Sequence, residues 1–292
     1  MARNIVQKGM DYLELMRYKN CVMAGFSSVI AVFIAMSILD YSLSEIYSLY
    51  DIFILLDIFI MVFLASGAGN VLNDYYDIDI DKINRPDRPL PSGRVSLTEA
   101  VYLAILCFSI ALLIAFFINP IAGVFGFLNV FMLIWYAKSL KRTILIGNFS
   151  IAYLTGSTFL FGAAFFGWDG IIALLPLAIL AFFATASREI VKDIEDMKGD
   201  ARDGAITFPI KFGTKTASYL AAALGIVAMI LSPLPYWMDE FGVYYLYALI
   251  PVELCFLYTV YVLLREKNYS KSSKLLKVAM LLALLAFIVG IL

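Results

Sequence analysis

Two short runs of this chain carry carboxylates at helical spacing. In Asn73-Asp74-Tyr75-Tyr76-Asp77-Ile78-Asp79-Ile80-Asp81, the residues Asn73, Asp77 and Asp81 are four apart, and Asp74 lies three before Asp77. On a helix all four project toward one face. In the run from Glu189 to Asp200, the residues Glu189, Asp193, Asp196 and Asp200 form a second ladder. Carboxylates crowded on one face repel one another unless a cation neutralises them. The ligands are all oxygen, and the chain has no histidine. That set favours a hard ion, Mg2+ above Ca2+ or Mn2+. Mg2+ usually keeps positions open for water and phosphate oxygens. Basic residues flank both ladders: Arg85, Arg88 and Arg94 after the first, Arg188, Lys192 and Lys198 within the second. Acid, metal and base together suit a diphosphate. The plainer alternative is a pair of solvated helix ends with ordinary ion pairs. It explains one ladder more easily than two of matching spacing.

Between the ladders runs Asn84-Arg85-Pro86-Asp87-Arg88-Pro89-Leu90-Pro91-Ser92-Gly93-Arg94. Its three prolines forbid a continuous helix and impose a stiff, extended course. Such a loop can fold two or three arginines back over a bound phosphate, or serve only as a rigid connector.

The elements that must position these groups are membrane helices. Hydrophobic residues make up 62% of the chain and charged residues 15%, against about half and a quarter in soluble domains. This excludes a water-soluble enzyme. The net charge of −1 argues against nucleic-acid binding. Apolar runs long enough to cross a bilayer fall at nine places: 21–39, 52–72, 99–118, 121–137, 146–166, 170–187, 217–237, 244–264 and 275–292. Asn119-Pro120 and Trp168-Asp169-Gly170 mark sharp breaks between neighbouring spans. All 22 Lys and Arg residues fall on one side of this alternation, which places the amino terminus and both ladders in the cytoplasm. Residues 3–17 form an amphipathic surface helix, with Ile5, Val6, Met10, Leu13 and Met16 at helical spacing. No cleaved signal peptide is expected. Cys21, Cys107 and Cys255 lie in apolar runs and read as buried thiols rather than a disulfide or zinc framework. Asp57 and Glu253 also sit inside apolar spans, where an ionisable group is a functional candidate by default. A structural hydrogen bond is the plainer role for Asp57, and an equal contender for Glu253.

The expected architecture is therefore an all-α, polytopic, multi-pass cell-membrane protein. Residues 1–292 form a single domain whose polar segments, 73–98 and 188–216, face the cytoplasm.

The spaced residues Asn73, Asp74, Asp77 and Asp81, the following Asn84-Arg85-Pro86 and Arg88-Pro89, and the later Asp193, Asp196 and Asp200 resemble the paired signature motifs of the UbiA superfamily of intramembrane prenyltransferases. The likeness extends over nearly the whole chain. Within the superfamily, residues 77–93 and 187–193 look most like the archaeal digeranylgeranylglyceryl phosphate synthases. The resemblance implies nine helices and Mg2+ as cofactor. It implies transfer of a geranylgeranyl group from geranylgeranyl diphosphate to the glycerol hydroxyl of geranylgeranylglyceryl phosphate. The first metal set would be Asn73, Asp77 and Asp81, with Asp74 as ligand or neighbour. The second would be Asp196 and Asp200, with Asp193 as ligand or as the base that orients the acceptor. Arg85, Arg88, Lys141 and Lys192 would contact diphosphate. Arg17 and Asn20 would face the same site, and Tyr136 would line the cation pocket. Partners would be the prenyl donor, a lipid-phosphate acceptor and the bilayer, with no nucleic acid and no obligate protein partner.

Two other readings stay open. An aromatic acceptor (a quinone, haem or chlorophyll precursor) keeps the chemistry and changes the nucleophile. A divalent-cation transporter would place its site in broken helices near mid-membrane, which the helix-end ladders disfavour. A CDP-alcohol phosphotransferase needs Gly after its second Asp, where this chain has Ile78 and Met197.

Overall fold

A computed structural model describes residues 5–41, 49–202 and 204–292. The side chains of 49–52, Lys198 and Arg202 are outside the described set, so the basic role expected of Lys198 is not addressed, nor are residues 3 and 4 of the surface helix. The regular elements among the described residues are all helical. They are α1 (Ile5–Leu15), α2 (Tyr18–Ile38), α3 (Leu49–Tyr76), α4 (Ile78–Asn84), α5 (Leu97–Ile118), α6 (Pro120–Lys138) and α7 (Ile146–Ala163). Then follow α8 (Gly167–Ala173), α9 (Leu175–Arg202), α10 (Phe208–Leu231), α11 (Leu234–Trp237), α12 (Val243–Tyr261) and α13 (Tyr269–Gly290).

Eight helical stretches among the described residues are long and apolar enough to cross a membrane. They match eight of the nine expected spans. The remaining one, 170–187, falls on the end of α8 and the start of α9. Helix α9 is apolar only from Leu175 to Ser187 and then carries the whole second ladder, so it offers no long uncharged window. The expected break at 168–170 is displaced. Trp168, Asp169 and Gly170 lie inside α8, and the chain turns instead at Gly167, whose φ of 70° suits glycine. The other predicted break holds: Asn119 is extended, its side chain caps the Ala122 N–H at 2.8 Å, and Pro120 opens α6.

The helices bury small residues and expose large ones. On α5, Ala100, Ala104, Ala111 and Ala115 are buried while Tyr102, Leu106, Leu113 and Phe117 are exposed. Lipid is as apolar as leucine, so large side chains gain nothing by facing inward, and small ones let backbones approach. Two apolar cores result. One gathers α3 and α5 with parts of α2 and α6, and includes Val32, Ile58, Val71 and Ala111. The other gathers α9, α10, α12 and α13 and includes Leu177, Ile190, Ala221 and Tyr245. Helix α7 joins them, giving Phe159 to the second and Phe161 to the first. Helices α3 and α9, which end in the ladders, thus belong to different halves.

Helix α1 has the expected amphipathic form: Ile5, Val6, Met10 and Leu13 are exposed and Leu15 is buried. Met16, just past the helix, is buried against Gly67, where a β-carbon would collide with it. The three cysteines are free thiols. Glu253 accepts a hydrogen bond from Ser232 Oγ at 2.8 Å, a structural link between α10 and α12. Asp57 is half-buried on α3.

Candidate active site

The first ladder begins on α3 but does not stay on it. The helix stops at Tyr76, Asp77 takes φ −99° and ψ 9°, and α4 starts at Ile78. Backbone bonds nevertheless bridge the break, from Asp77 N–H to the Asn73 carbonyl at 3.0 Å and from Asp81 N–H to the Asp77 carbonyl at 2.8 Å. The four-residue spacing therefore survives a change of helix.

Each acid of this ladder meets a cation. Asp74 is 2% exposed and Asp81 5% exposed. Arg88 Nη1 bridges them, at 3.1 Å from Asp74 Oδ1 and 2.7 Å from Asp81 Oδ2. Arg17 Nη2 donates to Asp74 Oδ1 at 2.5 Å from the turn between α1 and α2, where Arg17 adopts φ 54°. That left-handed residue folds α1 back and aims the guanidinium at α3. Asp77 pairs with Lys141 Nζ at 2.6 Å and, more distantly, with Arg142 at 3.7 Å. Lys141 sits on a one-turn 3-10 helix, Leu140–Arg142. Gly147 packs so close behind this turn that a β-carbon would lie 2.6 Å from the Leu140 carbonyl oxygen. Burial holds the Lys141 ammonium below the usual lysine range, against the opposing pull of Asp77.

The second ladder lies on unbroken α9. Asp193 Oδ2 accepts from Asn148 Nδ2 of α7 at 2.8 Å. Burial pushes the Asp193 carboxyl up to about 7, with the Asn148 hydrogen bond acting the other way. Glu189 is 8% exposed and is met by Arg188 at 2.6 Å and Lys192 at 3.8 Å. Asp196 and Lys192 are exposed, and Asp200 is half-buried. Tyr136, at the end of α6, lies within electrostatic reach of Glu189, Asp193, Asp77 and Arg17. Acids of both ladders thus act electrostatically on one tyrosine.

Of the expected basic contacts, Arg17, Arg88 and Lys141 meet the first ladder and Lys192 stands beside the second. Arg85 and Asn20 are exposed. Of the loop arginines, Arg88 alone points to the ladder among the described contacts. Arg94 turns to α1, donating to Glu14 and Asp11 at 2.6 Å and to the Asp87 carbonyl at 2.7 Å. Its carbonyl accepts from Lys8 at 3.0 Å. The proline loop is thereby tied to the amino-terminal helix.

Among the described residues no three acids are gathered tightly enough to form a preassembled cation cage. The donor set still fits Mg2+. Asn73 Oδ1 is a buried acceptor with no partner among the described residues, Asp77 is partly exposed, and Asp196 is exposed. Such a set is completed by phosphate oxygens rather than by protein alone.

Sequence reasoning missed Asn148 and Arg142 as site neighbours. Asn148 had a signal: a carboxamide near the start of an apolar span needs a buried partner. Arg142 sits beside Lys141 and had only that adjacency.

The UbiA prenyltransferase family matches residues 28–288. A digeranylgeranylglyceryl phosphate synthase of Methanosarcina mazei is 54% identical over 282 residues, covering 96% of this chain and 98% of its own. The corresponding synthase of Methanocaldococcus jannaschii is 41% identical over 288 residues, covering 98% of this chain and 97% of its own. A solved structure of a digeranylgeranylglyceryl phosphate synthase superposes with a TM-score of 0.82 at 41% identity, over 98% of this chain and 99% of the other. A UbiA homolog from Archaeoglobus fulgidus, solved with GPP and Mg2+, shares the fold with a TM-score of 0.67 at 18% identity, over 96% of this chain and 98% of its own. With its helical membrane fold, its two acidic ladders and this extent of likeness, the chain belongs to the UbiA prenyltransferase family.

Proposed function

We propose that this enzyme transfers a geranylgeranyl group from geranylgeranyl diphosphate to the free glycerol hydroxyl of geranylgeranylglyceryl phosphate, forming an ether bond. The electrostatic reach of acids from both ladders to Tyr136 and membership of the UbiA prenyltransferase family support the reaction type. The synthase names carried by full-length relatives support the acceptor. We read residues 1–292 as one domain with nine crossings, an inward amino terminus and a site that opens to the cytoplasm. The one-sided placement of Lys and Arg supports that orientation.

Asn73, Asp77 and Asp81 from one half, and Asp196 and Asp200 from the other, would hold Mg2+, with Asp74 and Asp193 adjoining. Bound there, Mg2+ supplies Lewis-acid neutralisation of a departing diphosphate. The chain's own cations do related work. Arg88, Lys141 and Lys192 would exchange carboxylate partners for diphosphate oxygens as the allylic C–O bond breaks and its electron pair moves to the leaving group. The Tyr136 ring offers its face to the allylic cation left behind. Asp193 orients the acceptor hydroxyl and takes its proton as the new C–O bond forms. A carboxyl near neutrality suits that exchange. Apolar helix walls keep water from the cation.

The test is direct. Purified protein is incubated with Mg2+, geranylgeranyl diphosphate and geranylgeranylglyceryl phosphate, and products are read by mass spectrometry. The expected doubly prenylated phosphate disappears with EDTA and with Asp77→Ala. Transfer to a phenolic acceptor instead would move the assignment to an aromatic substrate.

A further inference from the structure

The cations around the first ladder each meet a carboxylate of that ladder. Arg17 and Arg88 hold Asp74 and Asp81, and Lys141 and Arg142 hold Asp77. Arg188 on α9 differs. One of its terminal nitrogens donates to Glu189 Oε1 at 2.6 Å. Its Nε is fully buried and has no hydrogen-bond partner among the described residues. Three residues earlier on the same helix, the Thr185 hydroxyl is also buried without a partner among the described residues, at 3% exposure. Several other helical hydroxyls bond back to the carbonyl four residues before: Thr155 to Ile151 at 2.9 Å, Ser218 to Thr214 at 2.8 Å, Thr259 to Cys255 at 2.7 Å. Thr185 forgoes that bond. Two buried donors, spaced to share a helix face, leave hydrogen bonds unmade that a ligand oxygen can complete.

We propose that Arg188, backed by the Thr185 hydroxyl, binds the phosphate monoester of the lipid acceptor, apart from the site that takes the donor's diphosphate. This rests on the function proposed above. A guanidinium fork matches phosphate geometry, and its charge is always present. Arg188 shares the carboxylate of Glu189 with Lys192. The depth also fits. Arg188 precedes Asp193 by five residues, about 7.5 Å along the helix axis and about 140° around it. The acceptor hydroxyl must come within about 3–3.5 Å of the allylic carbon. Its phosphate, a few bonds further along the glycerol, then needs a cation at a separation of this order from Asp193. Glu189, which pairs with Arg188, also acts electrostatically on Asp193 and Tyr136.

The same chemistry could serve the donor, so the experiment separates the two phosphates. Steady-state constants are measured for the wild type, Arg188→Gln, Arg188→Lys and Thr185→Val in lipid nanodiscs. The acceptors are geranylgeranylglyceryl phosphate and its phosphate-free glycerol ether, and the donor is varied separately. The wild type is expected to prefer the phosphate-bearing acceptor. Arg188→Gln should raise the KM for that acceptor by about tenfold or more, with little change for the phosphate-free acceptor or the donor. Arg188→Lys should fall between, and Thr185→Val should move the same constant by a few-fold. A raised donor KM with the acceptor KM unchanged would assign Arg188 to diphosphate and overturn the proposal. So would an equal loss with both acceptors together with a lower thermal midpoint, which marks a structural role. Wild-type enzyme that binds the donor but uses neither acceptor overturns the functional reading itself, and this proposal with it.

Discussion

The two acidic ladders share a spacing and differ in how their charge is met. On α3 and α4, Asp74 and Asp81 are buried and bridged by one arginine, while Asp77 carries a lysine. On α9, Asp193 is held by a neutral carboxamide, Asp196 is exposed, and the cations pair with Glu189 one turn deeper. The first ladder is neutralised by groups fixed in the fold. The second leaves Asp196 exposed. Buried carboxylates need partners to stay charged, so the first half is pre-set and the second awaits ligand charge.

The largest effects should come from removing charge at either ladder. Asp77→Asn and Asp196→Asn are each expected to lower kcat by about a thousandfold, the scale of losing a major electrostatic contact at a reacting centre. Product formation under saturating substrates checks this. Equal losses would show that both halves serve one centre, while a spared Asp196→Asn would break the pairing.

Stability should respond unequally. Arg88→Ala leaves two buried acids short of a partner and should cost about 3–5 kcal/mol. Lys192→Ala removes a half-exposed cation and should cost less than about 1 kcal/mol. Denaturation in detergent measures both, and similar costs would erase the contrast between pre-set and open ladders.

A smaller effect concerns pH. Burial raises the Asp193 carboxyl from the usual 3.8 to about 7. The folded state therefore retains a proton that the unfolded chain releases between those values. That contribution to stability is full below about pH 4 and is lost as pH rises through about 7. In EDTA, Asp193→Asn should raise the thermal midpoint at pH 8 and leave it unchanged at pH 4. A gain of the same size at both would contradict the burial account.

Much of this was legible in the chain because local chemistry decides it. Asn119-Pro120 ends one helix and opens the next by capping and by proline's fixed φ, and the ladders declare themselves by spacing. The turn at Gly167 was less visible, because Trp168, Asp169 and Gly170 look like a turn but continue as helix once Gly167 has changed direction. The break at Asp77 has no Gly or Pro to announce it, and backbone bonds conceal it. Arg94 shows the limit of local reasoning: its acidic partners, Asp11 and Glu14, are some 80 residues away in sequence. Nothing in its own loop distinguishes it from Arg88.

The central claim is that the open ladder is completed by diphosphate and metal together. Titration calorimetry of Mg2+ into the protein in nanodiscs, with and without an unreactive thiolo analogue of geranylgeranyl diphosphate, tests it most directly. The account predicts weak Mg2+ binding alone, tightened at least about tenfold by the analogue, with the gain lost in both Asp77→Asn and Asp196→Asn. Tight Mg2+ binding that the analogue leaves unchanged would contradict it and favour a cation-binding or transport role.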